Sequence, residues 1–469
     1  MQLSHTRPVT FAVFDEANLV SAAGLVPLVK LAQDAGLSVL ADQHVSVPGD
    51  KGANAGLKVT SLVAGMIAGA DSIDDMALLR HGAMGKVFAR PYAPSTLGSF
   101  LRAFTFGHVR QLDAVAARVL IALAASTPLV AGIGGPVLVD IDDTIIEVHG
   151  HAKQGAGFGY SKVRGLNALL ATVSTAQAAP VIVAGRLRKG STGSPRGANR
   201  LVADALATVA RLRPAHPTGP VLLRADSAFY GRPTIGAALT AGAEVSVTVR
   251  LDKKVKAAIA TIADDAWTTI EYTDAIRDEA TGTWISRAEV AEITYTAFSS
   301  KPRADHVRGR LVVRRIPDLN IKATNGQDTL FDTWRFHAFF TTTSADVLDT
   351  VAADKTHRGH AIIEQVHADL KGSALAHLPS GTFNANAAWL VLATLAFNLT
   401  RAAATLTSAP LLARATTATI RRKLITVPAR VASSARRLTL HLPTDWPWEQ
   451  AWSELFVRTC DPPPATATT

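Results

Sequence analysis

The sequence predicts an α/β core with an inserted antiparallel β domain, a helical region before it and a basic, mainly helical region after it. Three observations carry this. Residues 1–130 repeat apolar side chains at three- and four-residue spacing, the period of a helix face. From 136 onward, short β-branched runs alternate with helical patterns, as in layered α/β domains. Between about 252 and 340, the pattern alternates as in the strands of an antiparallel unit.

The N-terminal region, 1–130, reads as helices at VSAAGLVPLVKLAQDAGL and LKVTSLVAGMIAGADSIDDMALLRHG. In PSTLGSFLRAFTFGHVRQL (94–112), Ser95 or Thr96 is positioned to cap a helix carrying Arg102, followed by Arg110. A helix-turn-helix and a plain helical bundle both fit this region. Residues 131–251 begin the core. PVLVDIDDTIIEV, LNALLATVST and PVIVAGRLR read as neighbouring strands. A Gly/Ser loop then feeds a helix, followed by the strand GPVLLRADS, a helix at about 232–241 and the strand EVSVTVRL. In 252–340, WTTIEY, AEITYTAF, GRLVVRRI and TWRFHAFFTT read as the inserted β unit. Helical patterning returns in 341–400, the last part of the core, and 401–469 is a basic tail.

Composition narrows the function classes. At 48% hydrophobic and 18% charged, the chain can bury substantial cores, which excludes global disorder. Lys+Arg outnumber Asp+Glu 48 to 38, and the net charge of +10 suits a polyanionic partner. One cysteine, Cys460, excludes an internal disulfide framework or a Cys-rich zinc module and suits a reducing compartment. The start has no apolar run after basic residues, so no signal peptide is expected. Residues 114–132 carry Arg118 and a proline, and the apolar run 387–399 is short, so neither is expected to span a bilayer.

Three places carry acids in unusual settings. VLVDIDDTII (137–146) sets Asp140, Asp142 and Asp143 into an apolar strand, where an unpaired charge is costly. Asp226 ends the apolar strand VLLRA, where α/β sheets form sites and where an aspartate can equally cap the next turn. In HRGHAIIEQVHADLKG, His357, His360, Glu364, His367 and Lys371 share one helical stripe, with Ile362, Ile363, Val366 and Leu370 on another. A solvated polar face, or a zinc site through His360 and Glu364, is the alternative for that stripe. Arg186, Arg188, Lys189, Arg196 and Arg200 cluster in a glycine-containing segment whose amides can approach phosphates. Residues 371–444 contain no Asp or Glu yet carry Lys371, Arg401, Arg414, Arg421, Arg422, Lys423, Arg430, Arg436 and Arg437, a pattern suited to salt-sensitive polyanion contacts.

Together these segments resemble the DDE transposases of bacterial insertion sequences, over roughly 95–445. The subgroup it resembles carries a Y-x2-R-x3-E-x6-K signature, and here the spacing is His357-x2-His360-x3-Glu364-x6-Lys371. Asp142-Asp143-Thr144 and Asp226-Ser227-Ala228-Phe229-Tyr230 match the family's other two motifs. The resemblance implies a ribonuclease-H-like catalytic core in which Asp142, Asp226 and Glu364 hold two Mg²⁺ ions, with Mn²⁺ as a substitute. It implies Asp140 or Asp143 as supporting neighbours or alternative ligands, and favours Asp142 over Asp140. His357, His360 and Lys371 fall at positions facing DNA phosphates, with Arg186, Arg188, Lys189, Arg196, Arg200, Arg421, Arg422 and Lys423 as further DNA contacts. The implied partners are double-stranded DNA (terminal inverted repeats and target) and a second copy in a synaptic homodimer, with no membrane, in the bacterial cytoplasm near the nucleoid. Recognition of element ends is assigned to the N-terminal helices. Trp267, Trp284 and Trp334 read as core or sheet-face aromatics, or as the base-stacking tryptophan that related insertions use.

Two other classes fit parts of the sequence. Asp140-x-Asp142-x-Thr144 after an apolar strand also resembles the nucleophile motif of haloacid-dehalogenase-type phosphatases, although VLLRADS supplies one later acid where that family needs a pair. A DNA-binding relative with a decayed site would account for the charge, and for histidines where tyrosine and arginine are expected.

Overall fold

The structure, a computed structural model, describes residues 12–277, 284–317, 334–434 and 437–460. The first part is helical, as the periodicity requires: α1 (Leu25–Asp34), α2 (Leu37–His44), α3 (Ala55–Ala68), α4 (Pro94–Arg102) and α5 (Phe106–Ser126). Neither Ser95 nor Thr96 caps a helix. Pro94 opens α4, where its missing N–H would be unsatisfied in any case, and Thr105 caps α5 through a reciprocal capping box with His108.

Ten strands then form one mixed sheet. They include β1 (Val137–Glu147), β2 (Arg164–Ser174), β3 (Val181–Lys189), β4 (Val221–Ala225), β5 (Glu244–Thr248), β6 (Thr268–Arg277), β7 (Trp284–Ala297), β8 (Val307–Pro317) and β9 (Trp334–Thr341). The spatial order is β3-β2-β1-β4-β5-β9-β8-β7-β6, with a two-residue strand, Gly157–Phe158, also on β2. Neighbours β1, β4 and β5 run parallel, which demands crossovers, and α6 (Ala198–Leu212) and α7 (Arg232–Thr240) lie in them. The strands read as an inserted unit do form, and they extend this same sheet. Ser246 to Thr248 of β5 pair with Phe339 to Thr341 of β9. That pairing satisfies the backbone groups β5 would otherwise expose.

Next come α8 (Thr350–Arg358), a 3₁₀ turn (Gly359–Ala361), α9 (Ile362–Lys371) and α10 (Phe383–Thr405). By length and composition α10 is apolar enough to cross a membrane, but its apolar window is wholly buried inside the fold. It packs on α1, α3, α4, α5 and β3, so the N-terminal helices and the sheet share one core through it. Trp389 is fully buried there and its indole N–H donates to the Ala374 carbonyl at 2.7 Å. Asn398 seals the sheet edge at a β3 irregularity: its amide accepts from Ile182 N at 2.9 Å and donates to Ile182 O at 2.8 Å. The C-terminal region, expected to be mainly helical, also contains the antiparallel pair β10 (Ala429–Ser434) and β11 (Arg437–His441), followed by α11 (Glu449–Cys460). β10 pairs in turn with Leu19–Val20.

Candidate active site

Strand alternation puts Asp140 and Asp142 on one face of β1 and Asp143 on the other. The parallel register sets Asp140 opposite Arg224 and Ile141 opposite Ala225, so the next positions, Asp142 and Asp226, emerge together where β4 ends. Arg224 lies opposite Ser246 on β5, and a buried polar row therefore crosses three strands of the sheet.

The two same-face aspartates of β1 have opposite environments. Asp140 is fully buried, and both its oxygens are occupied. Arg224, itself 2% exposed, donates from Nε to Oδ1 at 2.8 Å and from Nη2 to Oδ2 at 2.7 Å. His360 Nδ1 stands 2.9 Å from the same Oδ1. Such a carboxylate, buried and clamped by a bidentate arginine, is closed off from an incoming electrophile, which removes the geometric basis for a phosphatase nucleophile at Asp140. Asp142 is more open, and burial first, then the charges of Asp226 and Asp143, push its carboxyl up to about 7. Burial likewise raises Asp226. One Asp226 oxygen accepts from Ala228 N at 3.0 Å and caps the turn Ser227–Phe229, so the capping role and the site position coexist.

The helical stripe runs over this row. Its members meet different strands because the segment 350–371 crosses the sheet. His357 lies over β5, with Nδ1 2.8 Å from Ser246 Oγ and Nε2 2.9 Å from Thr248 Oγ1. Its ring stacks on Phe339 at 4.1 Å. Burial first, then nearby positive groups, lower its pKa to about 3, and neither ring nitrogen is left for a phosphate. Over β4, the Thr356 carbonyl accepts from Arg224 Nη1 at 2.5 Å. A side chain at Gly359 would meet the same Nη1 at 2.7 Å. His360 reaches β1 at Asp140, while His367 Nε2 lies 3.6 Å from Asp142 Oδ2. His367 is 6% exposed, and among the described residues neither ring nitrogen has a hydrogen-bond partner. Its pKa is lowered to about 4 by burial, then by Lys371 and His360. Burial also lowers Lys371, and the Asp142 charge opposes that shift.

Glu364 lies in the first turn of α9, between His360 and His367 on the stripe that faces β1. It is exposed, and among the described residues it makes no hydrogen bond or ion pair. Asp142 and Asp226 are thus brought together, with Glu364 on the facing helix. Among the described residues, no three Asp, Glu, His or Cys side chains converge closely enough to hold a metal ion. The adjacent pair nonetheless fits a hard cation, since two desolvated carboxylates, Asp142 raised further by the charge of Asp226, are what a divalent ion relieves.

On the opposite face, Asp143 accepts from Arg188 Nη2 and Asn167 Nδ2, each at 2.5 Å. Arg188 also donates to the Ser194 and Arg196 carbonyls, both at 2.8 Å, and so ties the loop after β3 to β1. The basic residues divide accordingly. Arg186 is held by Asp113 and Asp204, and Arg421 donates to the Ile67 carbonyl at 3.0 Å. Lys423 lies 5.1 Å over the Trp448 ring. Lys189, Arg196, Arg200 and Arg422 are exposed. Trp267 and Trp334 flank the Arg315 guanidinium at 4.2 and 4.4 Å, while the Trp284 side chain lies outside the described residues.

Arg224 is the functional neighbour that sequence reasoning missed. The signal was present: an arginine inside VLLRA must be paired if its strand is buried, and its i−2 spacing from Asp226 puts both on one face.

The family described as Transposase DDE domain group 1 matches residues 2–460, nearly the whole chain. No curated protein gives a significant match. With a family match of that extent over an α/β fold that sets two aspartates at adjacent strand ends, this chain belongs to the DDE transposases.

Proposed function

We propose that the chain is a Mg²⁺-dependent cut-and-paste transposase. It binds the terminal inverted repeats of an insertion sequence, cleaves the DNA there and joins the freed 3′ ends to target DNA. The observation that carries this reading is the Asp142–Asp226 pair at neighbouring parallel strand ends, faced by the helix bearing Glu364. The mixed arrangement of parallel β1, β4 and β5 beside antiparallel β2 and β3 supports a ribonuclease-H-like core. Asp142, Asp226 and Glu364 would hold the Mg²⁺ ions, which supply Lewis-acid charge to the scissile phosphodiester. The chain's own residues orient that site. The Arg224–Asp140–His360 set fixes α9 over β1. Lys371 places a cation beside Asp142, and the exposed Lys189, Arg196, Arg200 and Arg422 offer sequence-independent phosphate contacts. In this reading the helical 1–130 region recognises element ends, and two copies form the synaptic complex in the bacterial cytoplasm.

The test is cleavage of DNA carrying the flanking element ends, with Mg²⁺ or Mn²⁺, by the wild type and by the Asp142→Ala, Asp226→Ala and Glu364→Ala variants. Metal-dependent nicking in the wild type, lost in all three, is expected. Full activity in Asp142→Ala would sink the assignment. Retained end binding without cleavage in the wild type would identify a decayed site.

A further inference from the structure

Past the end of α9 runs a groove of about 640 Å³, lined by Asp143, Phe158, Tyr160, Ser191, Thr192 and Lys371 among others. That volume lies within the range of sites for nucleotide-sized ligands. Its outer wall is the sequence Gly157-Phe158-Gly159-Tyr160, in which small and aromatic residues alternate. The glycines are structurally required. A Cβ at Gly159 would meet the Gly190 carbonyl oxygen at 2.5 Å, and one at Gly190 would collide with the Gly157 and Gly165 carbonyls. A further bond, Gly190 N to Gly155 O at 2.9 Å, joins the two loops. Backbone therefore packs on backbone through the glycines. The aromatic side chains remain in solvent: Phe158 is 67% exposed and Tyr160 is fully exposed. Arg188 anchors the loop that forms the floor, through the Ser194 and Arg196 carbonyls and Asp143.

We infer that this groove binds unpaired DNA next to the scissile bond, with bases stacked on Phe158 and Tyr160 and the backbone running toward Lys371. The inference rests on the transposase reading and adds a ligand state and two residues to it. Two largely solvated aromatic rings are poor neighbours for water, and a base offers each a π-face. Bases in a duplex already stack on one another, so only an unstacked strand presents those faces. The hydroxyls of Ser191 and Thr192 and the Lys371 ammonium suit the attached phosphates. Lys371 lines the groove and ends α9, whose first turn carries Glu364, so the bound strand would run beside the helix that faces the acids.

The test compares full-length wild type, Phe158→Ala/Tyr160→Ala and the swapped-ring variant Phe158→Tyr/Tyr160→Phe. Fluorescence anisotropy at fixed salt measures binding to a labelled oligothymidylate and to a duplex of equal length, with melting temperature as the control for folding. The double alanine variant is expected to bind the single strand about 10- to 100-fold more weakly, with duplex affinity unchanged and the swapped-ring variant near wild type. Equal single-strand affinity in the alanine variant overturns the inference while wild-type duplex binding leaves the transposase reading standing. Equal losses on both DNA forms also overturn it, as does self-association of the wild type abolished by the alanines, which would make a second copy the occupant. Failure of the wild type to bind either DNA would count against the transposase reading itself.

Discussion

Asp140 and Asp142 are two residues apart on one face of one strand, and their neighbours give them opposite roles. Asp140 meets Arg224 in a closed bidentate pair, whereas Asp142 meets another carboxylate across the strand gap. Removing one partner of a buried pair leaves an uncompensated charge, which costs about 3–5 kcal/mol. Asp140→Ala and Arg224→Ala are therefore expected to lower the unfolding free energy by that order, read as a lower urea midpoint. Asp142→Asn removes a charge that burial and Asp226 disfavour, so without metal its midpoint should equal or exceed the wild type at neutral pH. A stability loss in Asp142→Asn as large as that in Asp140→Ala would refute this division of labour.

At the scale of elements, the segment 350–371 does its work by crossing the sheet. His357 docks the start of that crossing on β5, neutral, between two hydroxyls and the Phe339 ring. Its folded pKa of about 3 lies below the ordinary value of 6.5. The stability it contributes is thus present above about pH 6.5 and is lost as pH falls toward the folded value, because the unfolded chain binds the proton first. His357→Gln should flatten this dependence: the urea-midpoint gap between wild type and variant should narrow as pH drops from about 7 to about 4. A gap that widens would contradict the buried neutral ring. The central helix α10 makes a second claim. Trp389→Ala should cost about 3–5 kcal/mol by opening a cavity and orphaning the Ala374 carbonyl. Asn398→Ala, which frees both backbone groups of Ile182, should cost about 1–3 kcal/mol. Thermal melting of each variant checks both figures.

At the scale of the molecule, the charge excess separates into internal and external cations. Arg186, Arg188 and Arg421 are tied to carboxylates or carbonyls, while Lys189, Arg196, Arg200 and Arg422 face solvent. Counterion release then gives a quantitative expectation. Arg196→Ala/Arg200→Ala should shallow the dependence of log affinity for duplex DNA on log salt by about 2, without altering the melting temperature. Arg188→Ala should instead lower the melting temperature, since it frees the Asp143 carboxylate and two loop carbonyls.

Much of this was readable from local pattern. Helical periodicity, the β-branched runs and the alternation of Asp140, Ile141 and Asp142 are properties of neighbouring residues, and the strands formed where they point. The spacing of Glu364 and Lys371, with the two aspartate motifs, also marked the family that the chain matches. Partnership across the chain was not readable in this way. Which aspartate is closed depends on a register between β1 and β4, residues far apart in sequence. The antiparallel strands join the core sheet because β5 needs a partner, and hydropathy does not say which one. Likewise, His357 to Lys371 share one stripe by helical spacing, yet they sit over different strands because α8, the 3₁₀ turn and α9 cross the sheet in succession. Sequence by itself determined most elements before the C-terminal region, the family and the inventory of acids and bases, all set by short-range periodicity and spacing. Only the tertiary structure decided which charges neutralise each other and which stay poised, because ion pairing and desolvation depend on distances that strand register and helix crossing create.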